Sequence, residues 1–206
     1  SNSFGWQKAT ELPDFLPSWE YATYYNEAMR NMERQEAYSA EQIQKYRDGS
    51  DPDNYPNVNH LKWLLESGSG FQQRHTAGIQ GGNGSTTYNL SIGYSNQDGM
   101  TDKTSNERFT GLFTMKSEIT KGLTLNLNIN AYGQEYKAPY GEPQSSNDRE
   151  SIDGIIGYAI RQGPIHAGAK SDGTFRSPDN SSPKPCVATD AFTTHHSTTA
   201  SASGQL

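Results

Sequence analysis

The sequence predicts a mainly β fold: about five strands of a partial antiparallel transmembrane β-barrel, with a helical extracellular loop near the N-terminus. Three observations lead there. Over residues 71–137 apolar side chains recur at every second position, the period of a strand with one greasy face. Tight turns alternate with longer connections along that stretch, the plan of an outer-membrane barrel. Helical spacing and cap residues dominate the section before it.

The parts follow in order. Residues 9–70 read as a helical and loop insertion, and 1–8, by the family resemblance given below, as the end of a first barrel strand. Ser18 is a candidate cap for a helix reaching residue 37, with Tyr21, Tyr25, Ala28, Met29 and Met32 on one inward face. Ser39 and Gln42 form a capping box, in which each side chain satisfies the other residue's free backbone N–H, for a short helix stopped by Gly49. Asn59 caps a third helix with Leu61, Leu64 and Leu65 inside. Over 71–137 the strands are antiparallel. Tyr88, Leu90, Ile92 and Tyr94 share one face of a strand at 86–97. Phe109, Phe113 and Met115 share a face of the next, with Leu112 out of phase. Leu123, Leu125, Leu127 and Ile129 share a face of a third. A weaker strand at 72–81 puts Ala77 and Ile79 on its apolar face. Gly82-Asn83-Gly84-Ser85 and Thr120-Lys121-Gly122 are tight hairpin turns. Residues 138–176 read as a long loop with a short helix. Residues 177–206 lose periodicity and read as a tail that is disordered or aberrant, the latter through a frameshift.

Such alternation suits a wall with lipid outside and a wet lumen inside, or a soluble antiparallel sheet with one wet face. About ten to twelve residues at roughly 3.4 Å each, tilted by about 45°, span the apolar band of about 25 Å. Tyr88, Tyr94, Tyr132 and Tyr136 stand near strand ends, where an interfacial girdle belongs.

Composition narrows the function classes. Only 32% of the residues are hydrophobic and the mean hydropathy is -0.88. An ordinary globular domain is about 45–50% apolar, Gly included, so a large private core is not expected. A net charge of -6 argues against nucleic acid as a partner. One cysteine, Cys186, excludes an internal disulfide and a Cys-based metal site. No apolar run nears the roughly 20 residues of a spanning helix. Residues 1–8 lack a secretion signal, so the expected parent protein has its N-terminus elsewhere.

Several segments in order resemble the SusC/RagA family of TonB-linked outer-membrane proteins. They are NSFGWQKATELPDFLPSWEYATYYNEA, YSAEQIQKYRDGSDPDNYPN, QQRHTAGIQGGNGSTTYNLSIGYSNQDG, FTGLFTMKSEITKGLTLNLNINAYGQEYK and SIDGIIGYAIRQGP, together covering roughly residues 2–175. The resemblance implies a 22-stranded barrel filled by a plug, opened by TonB and closed by a SusD-like surface lipoprotein. It also implies oligosaccharide or peptide cargo, a place in the cell outer membrane and no enzymatic activity. It casts Tyr88, Leu90, Ile92, Tyr94, Phe109, Phe113, Met115, Leu123, Leu125, Leu127 and Ile129 as lipid-facing.

Other chemistries are weaker. Asp48, Asp51, Asp53 and Asn54 carry calcium-type oxygens, but without EF-hand spacing; turn chemistry accounts for them. The pair His195-His196 lacks a carboxylate cluster. Gly81, Gly82 and Gly84 precede a strand rather than the helix of a phosphate loop. Glu142, Asp148, Glu150 and Asp153 suggest hydrolytic carboxylates, but acids at a helix start also satisfy its dipole. The aromatics Trp6, Trp19, Tyr21, Tyr24, Tyr25 and Trp63 read as packing for the loop helices, with Trp19, Tyr21 and Tyr25 as candidate cargo or partner contacts. No cofactor is expected. The rival fold is a soluble β-sandwich glycan-binding module, with Tyr88, Leu90, Ile92, Leu123, Leu125 and Leu127 packed under a second sheet.

Overall fold

The computed structural model describes residues 1–140, 152–175 and 182–206. The chain forms two compact units: Ser1–Gln7 with Gly68–Ala138 and Thr193–Leu206, and Lys8–Ser67 with Pro139–Phe192.

The first unit is a six-stranded sheet in the order β1 (Asn2–Trp6), β2 (Phe71–Gly82), β3 (Thr86–Asp98), β4 (Ser105–Thr120), β5 (Leu123–Pro139) and β6 (Phe192–Gln205). The mainly β class is as expected. The sheet is open, with β1 and β6 at its edges. Neighbours from β1 to β5 pair antiparallel. Asn83 closes the first hairpin: its Oδ1 accepts from the backbone N–H of Ser85 and of Thr86. Gly122, at φ +89°, turns the second. The β3–β4 connection is longer, and Gly99 and Thr104 pair across it at 2.8 Å.

Two expectations are corrected here. About five strands become six, because the described part of the tail, residues 182–206, is not irregular: Pro183–Ala188 is helical and Phe192–Gln205 is β6, while residues 177–181 lie outside the described residues. Near the end of β5, His196 Nδ1 lies 3.3 Å from Glu135 Oε2, and the His195 ring lies 6.4 Å from that of Tyr136. Four β-branched threonines favour extended backbone there, while the unpaired rim of β5 supplies the partners.

The second unit holds α1 (Ser18–Asn31), α2 (Ala40–Asp48), α3 (His60–Leu65), α4 (Ile152–Arg161) and α5 (Pro183–Ala188). Helix α1 is shorter than expected, and Pro17 rather than Ser18 holds its cap position. It stops at a Schellman turn: Glu33 takes φ +57°, Glu33 N–H donates to Arg30 C=O and Arg34 N–H to Met29 C=O. Its inward face also differs. Ser18, Ala22 and Asn26 are buried, whereas Tyr25, Ala28 and Met32 are exposed. Asn26 explains the rotation. Its Oδ1 accepts from Ala37 and Tyr38 N–H at 3.0 Å each, and its Nδ2 donates to Tyr38 C=O at 2.6 Å. A polar side chain that satisfies the returning loop's backbone belongs inside.

Helix α2 carries the expected capping box: Gln42 N–H donates to Ser39 Oγ, and Ser39 N–H to Gln42 Oε1. It ends at Gly49, whose φ of +63° favours glycine. Asn59 caps α3, its Oδ1 accepting from Lys62 N–H at 2.9 Å. Leu61 and Leu64 then meet Ile155, Ala159 and Val187 in a small core.

Candidate functional site

The registers of β1 to β5 sort the sheet's side chains onto two faces. Ile79, Leu90, Phe113 and Ile129 stand in one rung across four strands; Gly81, Tyr88, Met115 and Leu127 form the next on one side, and Ala77, Ile92, Gly111 and Ala131 the next on the other. Leu123 and Leu125 extend the same face along β5. All eleven residues expected to share an apolar surface therefore do so. Six of them are exposed, Ile92 at 55% and Phe109 at 54% among them, and the other five are half-buried. Among the described residues all six named strands belong to one sheet, so no second sheet is available to cover Tyr88, Leu90, Ile92, Leu123, Leu125 or Leu127.

One end of this face carries a row of rings. Trp6 lies 5.5 Å from Phe71, Phe71 6.5 Å from Phe4, Phe4 5.5 Å from His75, His75 6.2 Å from Tyr94, and Tyr94 4.9 Å from Phe109. The row crosses β1 to β4. Sequence reasoning missed Phe4 and Phe71 and put Trp6 with the loop helices; Trp6 stands on β1, 68% exposed. A pairing of β1 with β2, more than sixty positions later, brings these rings together, and no local pattern announces it. Tyr132 and Tyr136 are also corrected. They pair with Thr110 and Asn106 on the opposite face, because they have the other parity from Leu123 to Ala131 and no bulge intervenes.

That opposite face is polar. Gln72, Arg74, Thr76, Ser95, Gln97, Asn106, Arg108 and Thr110 line a cavity of about 500 Å³, with Ser3 and Gly5 on β1. Arg108 stacks over the Tyr132 ring at 5.3 Å. The Tyr132 hydroxyl donates to Gln134 Oε1, and Gln134 Nε2 donates to Asn106 Oδ1 at 2.8 Å. Leu112 is the one large aliphatic side chain on this side of β4.

In the helical unit the candidate contact residues lie on α1. Tyr21 and Tyr25 begin a chain of rings that continues through Tyr38, Tyr46 and Tyr55, with centroids 5.3–6.2 Å apart. These rings pack against one another, Tyr25 stays exposed, and Trp19 is half-buried. Burial, with the neighbouring tyrosines, pushes the Tyr38 hydroxyl up to about 12. The acidic cluster is turn chemistry: Asp48 accepts from Ser50 N–H, Asp51 from Asn54, and Asp53 from the N–H and Oγ of Ser171. Among the described residues no group of three or more His, Cys, Asp or Glu is placed to hold a metal. Cys186 packs against the small core. Glu142, Asp148 and Glu150 lie outside the described residues, as does the side chain of Asp153.

His60 is a buried group that the sequence did not flag as buried. It is 2% exposed, and among the described residues neither ring nitrogen makes a well-formed hydrogen bond, although backbone groups of His166 and Gly163 stand near it. Desolvation first, then the Lys184 charge, push its pKa down to about 4; backbone groups of His166 and Gly163 oppose this weakly. The folded pKa lies below the unfolded value of 6.5. The stabilisation is therefore full above pH 6.5 and is lost as pH falls towards 4, by up to about 3 kcal/mol. Urea midpoints of the 206-residue chain should fall over that window, and fall less in His60→Phe. An identical slope in the variant would exclude His60 as the cause.

No described helix is long and apolar enough to cross a membrane, which leaves spanning by strands untouched. No family model matches the chain, and no curated protein matches it.

Proposed function

We propose that this chain is part of the wall of a TonB-dependent transporter of the SusC/RagA type in the outer membrane. The transporter imports oligosaccharides or peptides with a SusD-like lipoprotein partner. The observation that carries the reading is one continuous apolar face, edged by a row of aromatic rings, on a sheet whose other face is polar. Such a surface suits hydrocarbon on one side and a wet lumen on the other, with the rings at the interface. Strand reach agrees. The 13 residues of β3 extend about 44 Å, or about 31 Å when tilted by 45°, enough for the apolar band. Open edges are not tolerated in lipid, so on this reading further strands of the parent complete the wall.

The role belongs to β1 to β5. On the side of β6 shared by His196 stand Thr194, Thr198, Ala200 and Ala202, which suit lipid poorly. Import of this kind is conformational and needs no covalent chemistry from these residues. Trp19, Tyr21 and Tyr25 are the candidate contacts for cargo or lipoprotein.

The test places a nitroxide at Leu90→Cys or Asn89→Cys in the membrane-embedded parent, after Cys186→Ser. Position 90 should be relaxed by oxygen dissolved in lipid, and position 89 by a water-soluble nickel complex. Protection of position 90 from both agents would favour the soluble sandwich instead.

A further inference from the structure

We infer that the polar face of the sheet binds a carboxylate-bearing oligosaccharide through Arg74 and Arg108. The inference rests on the transporter reading and deepens it by naming the cargo class. The registers pair Arg74 with Ser95 and Ser95 with Arg108, so the two arginines flank one serine in a single rung. Their backbones stand two ladder spacings apart, about 10 Å. The residue between them in the rung, Ser95, is small, and over Gly93 in the next rung sits the Thr110 hydroxyl, so both arginines line the cavity.

Charge on this face is concentrated and uncompensated. The chain is acidic overall, at -6. Yet the polar face of β1 to β5 carries Arg74, Arg108 and Lys116 against one acid, Glu118. Glu118 lies ten positions along β4 from Arg108, about 34 Å away and beyond the screening length at physiological salt. The nearer acid Glu107 belongs to the other face, where it accepts from the Tyr94 hydroxyl at 2.8 Å. Neither arginine makes an ion pair among the described residues. Arg108 lies over the Tyr132 ring at 5.3 Å. A guanidinium so placed can still offer its in-plane N–H groups to a planar acceptor, and a carboxylate meets them with two parallel hydrogen bonds.

The surroundings favour a sugar over a peptide as the bearer of that carboxylate. Gln72, Gln97, Asn106, Thr76 and Thr110 offer amides and hydroxyls that both donate and accept, matching a hydroxyl-rich chain. The apolar groups here are few, Leu112 on the polar side of β4, the Tyr132 ring beneath Arg108 and the rings of Phe4, Trp6 and Tyr94 bordering the cavity, so amides and hydroxyls predominate among the groups a ligand would meet.

The test is calorimetric titration of the purified full-length parent with three probes: a galacturonic acid tetramer, a neutral galactose tetramer and tetraglutamate. The acidic sugar should bind tightest, and more weakly as salt rises. Arg74→Gln and Arg108→Gln should each weaken it about tenfold, with Arg108→Lys between, while the neutral sugar is unchanged. Unchanged binding of the acidic sugar in the double variant overturns the inference, as does tighter binding of tetraglutamate. The spin-label pattern at positions 89 and 90 reports separately on the wall, so loss of that pattern with retained arginine dependence removes the transporter reading alone.

Discussion

Leu90→Arg should nearly abolish the membrane-integrated form of the full-length parent, whereas Asn89→Arg, one residue away, should be tolerated. Leu90 stands at the middle of the apolar rung with Ile79, Phe113 and Ile129. An arginine on the lipid face near the midplane costs about 2–4 kcal/mol, and little near the interface or towards a lumen. A loss of that size is a large fraction of the stability of a typical domain. Depth gives a second axis. Tyr94→Arg, at the end of the face that carries the aromatic row, should cost much less than Leu90→Arg. The readout is the amount of protease-resistant protein recovered in the membrane. Equal recovery of the Leu90 and Asn89 variants would mean that the two faces do not see different solvents.

Leu64→Ala should lower the stability of the helical unit by about 3 kcal/mol, within the usual range for a buried leucine. Leu64 is fully buried, with Leu61, Ile155, Ala159 and Val187 around it. So small a cluster has few neighbours that can collapse into the space left behind. Urea unfolding followed by the fluorescence of Trp63, which packs on the same cluster, measures the loss. Leu112→Ala, an exposed site on the polar face of β4, should change the midpoint by a few tenths of a kcal/mol at most. Equal effects from the two would show that the cluster is not the unit's core.

Much of the sheet was legible because its signal is local. From Tyr88 to Tyr94 and from Leu123 to Ala131 the side chains alternate without a slip, and the registers bring the apolar sets together. The capping box at Ser39 and Gln42 and the Asn59 cap were legible for the same reason: each is a contact across three positions. In helix α1 the spacing of tyrosine and methionine points to the wrong inner face. Asn26 holds that place through hydrogen bonds to residues 37 and 38, a demand set by how the loop returns. The arginine rung was not legible either, since Arg74 and Arg108 are 34 positions apart and meet only through β3.

The amino-acid sequence by itself determined the mainly β class, the two-faced character of β3 to β5, the turns at Asn83 and Gly122 and the caps of α2 and α3. Each follows from side-chain period or backbone chemistry within a few residues. Only the tertiary structure decided that residues 192–205 become a strand, that Phe4, Trp6 and Phe71 join one aromatic row, and that His60 is sealed from water. These depend on pairings between distant segments, where the free rim of a neighbouring strand or the closing of a small core outweighs local preference.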